Sequence, residues 1–166
     1  MEAQTVIELE SIIRKYGYKI KQLHPFYISE EITVPAPYDF DTVSYTQNEI
    51  EQFRDDDRFD EAFAFCEDTP DVLGIAAVKN GSIIGMAGVS ADSPYMYQIG
   101  INVLPENRGN GIGAALVTLV KNKVLELGKL PYYGTSVSHI TSQRTAVKAG
   151  FFPAWTELVT AEKGAE

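Results

Sequence analysis

The sequence is poor in several residue types on which specialised proteins depend. It has one cysteine, Cys66, which excludes an internal disulfide, and two histidines, His24 and His139, which lack further ligands at zinc-site spacing. No apolar run approaches the ~20 residues of a membrane span. The acidic start MEAQTVIELE lacks the basic and apolar parts of a secretory signal. We therefore expect a cytoplasmic protein with no metal site and no membrane partner, in which Cys66, within AFAFCED, is a buried structural residue.

Positive charge is also scarce. The 166 residues carry 14 Lys/Arg and 23 Asp/Glu, a net charge of −9, which argues against nucleic acid as a partner. Residues 1–103 hold 7 Lys/Arg against 18 Asp/Glu, whereas residues 104–166 hold 7 against 5. Two interpretations stay open: solvated faces that keep the protein in solution, or a basic half that meets an anionic ligand and an acidic half that meets a cationic one.

Hydrophobic periodicity predicts a single mixed α/β domain. Thr46 and Glu49 form a capping-box pattern that opens a helix. Up to residue 66 we predict, in order, a helix over 2–16 that ends at Gly17, a short strand over 18–23, an irregular proline-rich connection, and helices over 49–53 and 59–66. After residue 71 we predict strands over 73–78 and 82–90 joined by an Asn-Gly turn, a strand over 96–103, a helix over 111–127, a strand over 132–137, a helix over 142–149 and a strand over 154–159.

The most informative segment is the glycine-rich loop between a buried strand and an amphipathic helix. Gly109, Gly111 and Gly113 remove every second Cβ where free N–H groups and the helix dipole suit a phosphate. Arg108 can add a guanidinium to the same anion. A plain helix cap is one alternative. A dinucleotide fold is another, since GNGIGA satisfies G-x-G-x-x-G/A, but Pro-Glu-Asn-Arg intervenes and the next strand, PYYGTSV, ends without an acid.

The same segment, Val103-Leu-Pro105-Glu-Asn-Arg108-Gly-Asn-Gly111-Ile-Gly113, resembles the V-x-P-x-x-R-x-x-G-x-G acetyl-CoA motif of the GNAT superfamily of N-acetyltransferases. Further on, HITSQRTAVKAGF resembles the family's N-x-x-A-x-x-x-Y-x-x-x-G-F segment. The resemblance covers about residues 72–159. It implies a GNAT-like α/β domain over residues 41–166, with a mixed, mostly antiparallel sheet flanked by helices. Residues 1–40 are expected to be an arm or extension. Two further interpretations of this segment are a homodimer contact and the remnant of a longer domain.

The resemblance implies acetyl-CoA as co-substrate and a set of coenzyme-binding positions. Backbone groups of Ile101 and Val103 are expected to pair with the pantetheine arm. The pyrophosphate is expected on Arg108, Gly109, Asn110, Gly111, Ile112, Gly113 and Ala114. In the last helical segment, His139 stands where the family has a coenzyme-contacting asparagine, and Ser142 is expected to contact the coenzyme too.

Two departures from the family pattern concern catalysis. The tyrosine that often protonates the departing thiolate falls at Ala146, so we expect Tyr133 or Tyr132 to replace it, with strand packing as the alternative role. The position of the family's carboxylate base is Tyr97, and a tyrosine with a pKa near ~10 is a poor base unless perturbed. Tyr97 is expected to order a water that passes the proton to Asp92.

The predicted function is therefore transfer of an acetyl group from acetyl-CoA to an amine of a small molecule or peptide. The acidic cluster Asp55, Asp56, Asp57, Asp60 and Glu61 either draws a cationic amine or is a solvated surface. Three alternatives stay open at this point. They are a non-catalytic coenzyme-A-binding or regulatory module, an NAD enzyme, and an enzyme for another acyl donor such as succinyl-CoA.

Overall fold

A seven-stranded mixed sheet organises the chain, and the computed structural model describes residues 2–162 and 164. In chain order the elements are α1 Ala3–Ile13, β1 Tyr18–Ile28, β2 Asp41–Thr46, α2 Gln47–Ile50, β3 Asp71–Lys79, β4 Ser82–Ser90, β5 Met96–Val103, α3 Ile112–Glu126, β6 Leu130–Gly134, α4 Ile140–Lys148 and β7 Phe152–Glu162. The strand order is β2-β3-β4-β5-β6-β1-β7. Only β5 and β6 pair in parallel within the described sheet, which confirms the predicted α/β fold with a mostly antiparallel sheet.

Local sequence signals account for several of these boundaries. Thr46 and Glu49 form the predicted capping box at the start of α2. Asn80 and Gly81 have φ values of 52° and 75°, the positive values that a two-residue hairpin turn between β3 and β4 requires. Gly17, with φ 86°, ends the first helical segment in the left-handed conformation. These features confirm the predicted capping box, hairpin turn and helix stop.

Side chains alternate between the two faces of the sheet, and each face has its own core. We call one the α3 face: it is covered by α3 and α4 and packs around Leu116, Val117 and Val120. The other, the α2 face, is partly covered by α2 and the segment that leads to β3. Because β5 alternates, Ile99 belongs to the core of the α3 face, whereas Gly100 lies beneath the segment on the α2 face.

The prediction of a second helix over residues 59–66 is wrong. Asp56 caps a single 3-10 turn over Asp57–Phe59, and Phe65 takes a left-handed φ of 49° that a continuing helix would not allow. Cys66, expected to be buried, is exposed, because the helix that would have turned it inward does not form. The local apolar pattern AFAF predicted a helix, but contacts with the sheet determine the backbone here.

Those contacts come from one asparagine and two glycines of the sheet. The Oδ1 of Asn102 accepts the backbone N–H groups of Glu61 and Ala62 at 3.0 and 2.7 Å. A Cβ at Gly100 would lie 1.8 Å from the Glu61 carbonyl oxygen, and one at Gly88 would lie 1.9 Å from that of Ala62. Glycine therefore lets the segment rest directly on β4 and β5, where any other residue would push it away.

The strand predicted over residues 18–23 continues to Ile28, so the first half of the predicted irregular connection is also wrong. Strand β1 runs through Pro25 and lies between β6 and β7. The Pro25 carbonyl accepts the N–H of Thr135, beyond the last β1–β6 pair at Phe26↔Gly134. The nitrogen of Pro25 faces the same side, beyond the end of β6, so proline sacrifices only the reciprocal hydrogen bond to Thr135 and is tolerated there.

The remaining boundaries differ only locally from prediction. Strand β6 covers Leu130–Gly134 in place of 132–137, and α3 covers Ile112–Glu126. Strand β2, which pairs with β3, is absent from the predicted elements because its side chains are exposed apart from the half-buried Tyr45.

The domain boundary at residue 40 stays a prediction. Within residues 2–162 and 164, no helix is long and apolar enough to cross a membrane.

Candidate functional site

The two central strands β5 and β6 separate after three paired residues. Their pairing ends at Gln98↔Tyr132, although β5 continues to Val103. The N–H of Leu104 donates to the Ile84 carbonyl, so the backbone groups of Leu104 point towards β4. Because successive residues of a strand point to opposite sides, the N–H and C=O of Ile101 and Val103 point into the gap. We call this gap the β5–β6 opening.

The start of α3 lies at one side of this opening. Gly109 and Gly111 have φ values of +85° and +79°, with no heavy atom within 4 Å of the position a Cβ would take. Gly111 is the N-cap of α3 and offers no side chain to the first turn, so the first N–H groups of the helix lack a cap. The Nε of Arg108 donates to the Val103 carbonyl at 2.9 Å, which joins the loop to the end of β5.

Helix α4 closes the same side. A Cβ at Gly113 would lie 3.5 Å from Val103 and 3.7 Å from Thr145 of α4. His139 is the exposed N-cap residue of α4. The loop, the end of β5 and α4 therefore converge, which brings the predicted coenzyme-binding residues to one region.

Two hydroxyl groups meet near the first turn of α4. The Ser142 Oγ and the Tyr133 hydroxyl are 2.8 Å apart, and either can donate. Tyr133 is 2% exposed, and burial raises the pKa of its hydroxyl. Ala146, at the position of the missing tyrosine, is fully buried in the core of the α3 face. No hydroxyl can reach the opening from that position.

The α2 face carries a groove at the same strands. One cavity of about 360 Å³ is lined by Phe26, Asp92, Ser93, Met96, Gln98, Tyr132, Trp155 and Glu157. A second, of about 120 Å³, shares Asp92 and Gln98 with the first and is also lined by Glu61, Asp71 and Gly100, among others. We call the two cavities together the acidic groove. Their shared residues lie where β5 and β6 separate.

Asp92 is at the centre of a hydrogen-bonded cluster in this groove. Its Oδ1 accepts from the Ser90 hydroxyl at 2.6 Å, and its Oδ2 accepts from the Tyr132 hydroxyl. The Tyr132 oxygen is also 3.1 Å from the Gln98 Oε1. Burial, and then the Asp92 carboxylate, raise the pKa of Tyr132 far above its ordinary value. Tyr132 therefore stays protonated at neutral pH and acts as a donor to Asp92.

Tyr97, the predicted position for base chemistry, lies on the other face. It packs against the core of the α3 face, and the Lys129 Nζ is 5.9 Å from its ring centroid. The sheet itself separates Tyr97 from the acidic groove. Its catalytic role stays a prediction.

The predicted acidic cluster contributes little to the groove. Asp56 pairs with Arg58 at 2.6 Å, and Asp60 accepts from the Asn102 Nδ2 at 2.9 Å. Glu61 does line the smaller cavity. Sequence reasoning missed Trp155 and Glu157, whose i, i+2 spacing on a strand was a weak signal that both share one face.

Comparison with solved structures defines the fold. The chain is similar to a GCN5-related N-acetyltransferase-like protein of Streptococcus suis, with a TM-score of 0.65 and 15% identity over 94% of this chain and 67% of that protein. For a GCN5-related N-acetyltransferase of Sphaerobacter thermophilus the values are 0.67 and 15%, over 95% and 56%. For a tandem GNAT protein from the clavulanic acid biosynthesis pathway they are 0.64 and 14%, over 94% and 58%. This fold is that of GNAT acetyltransferases, and the chain spans little more than half the length of the last two proteins.

Comparison at the level of sequence gives the same assignment as the fold. The family model described as Acetyltransferase (GNAT) family matches residues 35–151. The chain therefore belongs to the GNAT acetyltransferase family, which confirms the resemblance of its glycine-rich loop. No curated protein matches the chain.

Proposed function

We propose that this protein is an acetyl-CoA-dependent N-acetyltransferase. The observation that carries the proposal is the β5–β6 opening, which has the uncapped, glycine-lined start of α3 on the α3 face and an acidic groove on the α2 face. A negatively charged coenzyme and a positively charged amine can therefore approach one point from opposite faces without sharing a binding surface. Cytoplasmic location and the absence of a nucleic-acid partner belong to the same proposal.

The residues at the α3 start fit an anionic coenzyme. The left-handed glycines leave open space beside their backbone, so a pyrophosphate can approach the N–H groups that α3 leaves unpaired. Arg108 already lies at the end of β5, with its other guanidinium nitrogens available to a phosphate. The groups of Ile101 and Val103 in the opening would pair with the amide-containing arm. His139 and Ser142 would border this arm from α4.

Acetyl-CoA supplies a thioester to this site. The amine nitrogen attacks the carbonyl carbon, a C–N bond forms, the C–S bond breaks, and a thiolate leaves. The nitrogen then loses its second proton to give the amide, which balances the proton that the thiolate takes up. Backbone N–H groups of β5 that point into the opening can stabilise the negative charge on the carbonyl oxygen. An amine arrives protonated at neutral pH, so a base must first remove its proton.

We assign that base to Asp92, in place of Tyr97. Asp92 lies in the groove at the separation point, whereas Tyr97 lies behind the sheet. Tyr132 and Ser90 both donate to the Asp92 carboxylate, which fixes its oxygens towards the groove. Gln98, in the same cluster, can orient the amine through its side-chain oxygen.

We assign protonation of the thiolate to Tyr133 and not to Tyr132. Tyr132 donates a hydrogen bond to Asp92 on the acceptor side. Tyr133 lies on the α3 face and forms its hydroxyl pair with Ser142, on the side from which the coenzyme enters. A thiolate is a modest base, so this role adds less to the rate than removal of the amine proton.

Calorimetric titration with acetyl-CoA, with NAD as control, tests the proposal first. We expect saturable binding of acetyl-CoA and none of NAD. A panel of amines is then assayed for free thiol release, with succinyl-CoA in parallel to define the acyl donor. Binding of NAD, or no binding of either compound, would contradict the assignment of the loop.

A non-catalytic coenzyme-A-binding module is the second candidate. The buried Ala146 favours it, because this chain lacks the hydroxyl that the family often uses on α4. The same experiment separates the two functions. Acetyl-CoA that binds but is never consumed with any amine would support the second candidate.

A further inference from the structure

The end of the acidic groove farthest from the opening has an aromatic wall. The rings of Phe26 and Trp155 are stacked, with centroids 4.9 Å apart and planes 6° apart. Tyr132 extends the wall, with its centroid 6.0 Å from that of Phe26 and 5.9 Å from that of Trp155. The Trp155 Nε1 donates to the Glu157 carboxylate at 3.0 Å, which holds a negative charge at the edge of the wall.

The larger cavity therefore has a carboxylate near each end. Asp92 lies beside the opening, bound to the hydroxyl of Tyr132 on β6, and Glu157 lies on β7, which β1 separates from β6. The two strand spacings from β6 to β7 correspond to ~10 Å across the sheet, which is the scale of a short extended alkyl chain. Among the described residues that line this cavity there is no Lys, Arg or His. Its volume of about 360 Å³ suits a small ligand.

These features favour a ligand with two cationic ends and an apolar middle. An ammonium over an aromatic face is attracted by the ring, and Trp is the strongest partner for this interaction. Glu157 adds an opposite charge beside the same ring. A neutral tail would leave Glu157 without a charged partner, and a tail with a carboxylate would be repelled by it. The methylene chain would lie over Met96 and Tyr132.

We propose that the acceptor is a linear diamine, with its reacting amine between Asp92 and Gln98 and its second ammonium on Trp155 beside Glu157. The transfer step in this inference rests on the proposed function. Recognition of the diamine rests only on the groove. The two parts can therefore fail separately.

Trp155 is the single tryptophan of the chain, so its fluorescence reports directly on this end of the groove. The titration uses three compounds of matched length: 1,5-diaminopentane, 1-aminopentane and 5-aminopentanoate. We expect the diamine to change the fluorescence saturably and to bind at least ~10-fold more tightly than the monoamine, because only it places a cation at the wall. The amino acid should bind most weakly.

Two variants of β7 test whether the preference for the diamine depends on the Glu157 carboxylate. Glu157→Gln keeps a side-chain oxygen for Trp155 but removes the charge, and it should bring the diamine and the monoamine within ~2-fold of each other. Glu162→Gln removes the same charge from the same strand outside the groove. It should retain the preference of the unmodified protein.

Thiol release separates failure of the inference from failure of the proposed function. Equal affinity for the diamine and the monoamine, or a preference that survives Glu157→Gln, would overturn the inference even if amines are acetylated. A diamine preference that depends on Glu157, without thiol release from acetyl-CoA, would overturn the transferase proposal and support the groove as a diamine site. In a catalytic protein, kcat/KM should follow the same order as the affinities.

Discussion

The two sides of the β5–β6 opening are built in different ways. On the α3 face, the proposed coenzyme side consists mainly of backbone groups from one continuous segment, the end of β5 and the loop into α3. On the α2 face, the acidic groove consists mainly of side chains from several separate parts of the chain: β1, β5, β6, β7, the segment that leads to β3 and the segment between β4 and β5, with Asp71 of β3 and Ser90 of β4 at the smaller cavity. A backbone site needs glycines at fixed positions before a helix start, and this spacing can be recognised in the sequence.

A side-chain site has no such constraint. Its shape depends on which residues the sheet order brings together, and this sheet places β1 between β6 and β7. Within one family, the first kind of site is expected to accept one coenzyme, while the second kind can change its ligand with a few substitutions. This difference predicts that a substitution can abolish coenzyme binding without affecting the acidic groove, and that the reverse is also possible.

The largest effect is expected from Gly111→Val. Gly111 has a φ of +79°, and a side chain there costs roughly 1–2 kcal/mol in the left-handed region, so the loop would rearrange and misdirect its N–H groups. We expect acetyl-CoA affinity measured by calorimetry to fall at least ~100-fold, while the response of Trp155 to a diamine is unchanged.

Gly128→Val is the matched control for this loop. Gly128 has a φ of +70° with equally open space, but it lies beyond the other end of α3. It should produce similar strain and leave coenzyme affinity intact. If both variants bound acetyl-CoA as well as the unmodified protein, the loop would not be the anion site.

Asp92→Asn should damage the other side. Asparagine keeps the approximate shape of the cluster but cannot accept the amine proton, so we expect turnover to fall ~100-fold. Coenzyme affinity should stay within ~2-fold, because the coenzyme side does not include this carboxylate. Steady-state kinetics with Asp39→Asn, an exposed carboxylate paired with Lys79, provides the control. An unchanged rate would remove Asp92 from the mechanism.

Asn102→Ala should weaken the attachment of the segment that leads to β3, which lines the smaller cavity of the acidic groove. The substitution removes the acceptor for the backbone N–H groups of Glu61 and Ala62. We expect a loss of about 2 kcal/mol in the free energy of unfolding, measured by urea titration, because a half-buried donor would lack a partner. Asn48→Ala, at an exposed position of α2, should cost much less. Equal losses would show that the hydrogen bonds to Asn102 do not stabilise the segment that leads to β3.

The smallest effect is expected from Tyr133→Phe. It removes one hydroxyl of the pair with Ser142 and leaves the ring in the core. We expect kcat to fall ~10-fold with little change in KM, since a thiolate leaves without full protonation. Tyr95→Phe, at a residue 78% exposed, is the control and should be neutral. A change confined to KM would indicate that Tyr133 positions substrate.

The backbone arrangement of the proposed coenzyme side was largely predictable from sequence. The glycines, Arg108 and the strand before them all lie in one short stretch, residues 96–113, and Arg108 contacts the end of that strand. Helix α3 was equally predictable, because its apolar stripe repeats over four turns. Local patterns were sufficient in both cases because local geometry dominates them.

The acidic groove was not predictable in this way. Phe26 and Trp155 are far apart in sequence, and their stacking follows from the register of β1 against β7. The segment over residues 59–66 misled the helix prediction because Asn102 and Gly100, distant in sequence, determine its backbone. Tyr97 and Gln98 are adjacent, yet alternation along β5 places them on opposite faces of the sheet.

The position of β1 has a consequence for how the protein is made. Tyr18 pairs with Glu162, so the first described strand joins the last described strand. During synthesis, Tyr18–Ile28 leaves the ribosome well before both of its partners, β6 and β7, and must wait with both ladder edges unpaired. Closing so long a loop is slow compared with forming the β3–β4 hairpin. A newly made chain is therefore exposed to wrong strand pairing until β7 emerges, and we expect chaperones that bind extended segments to act in that interval.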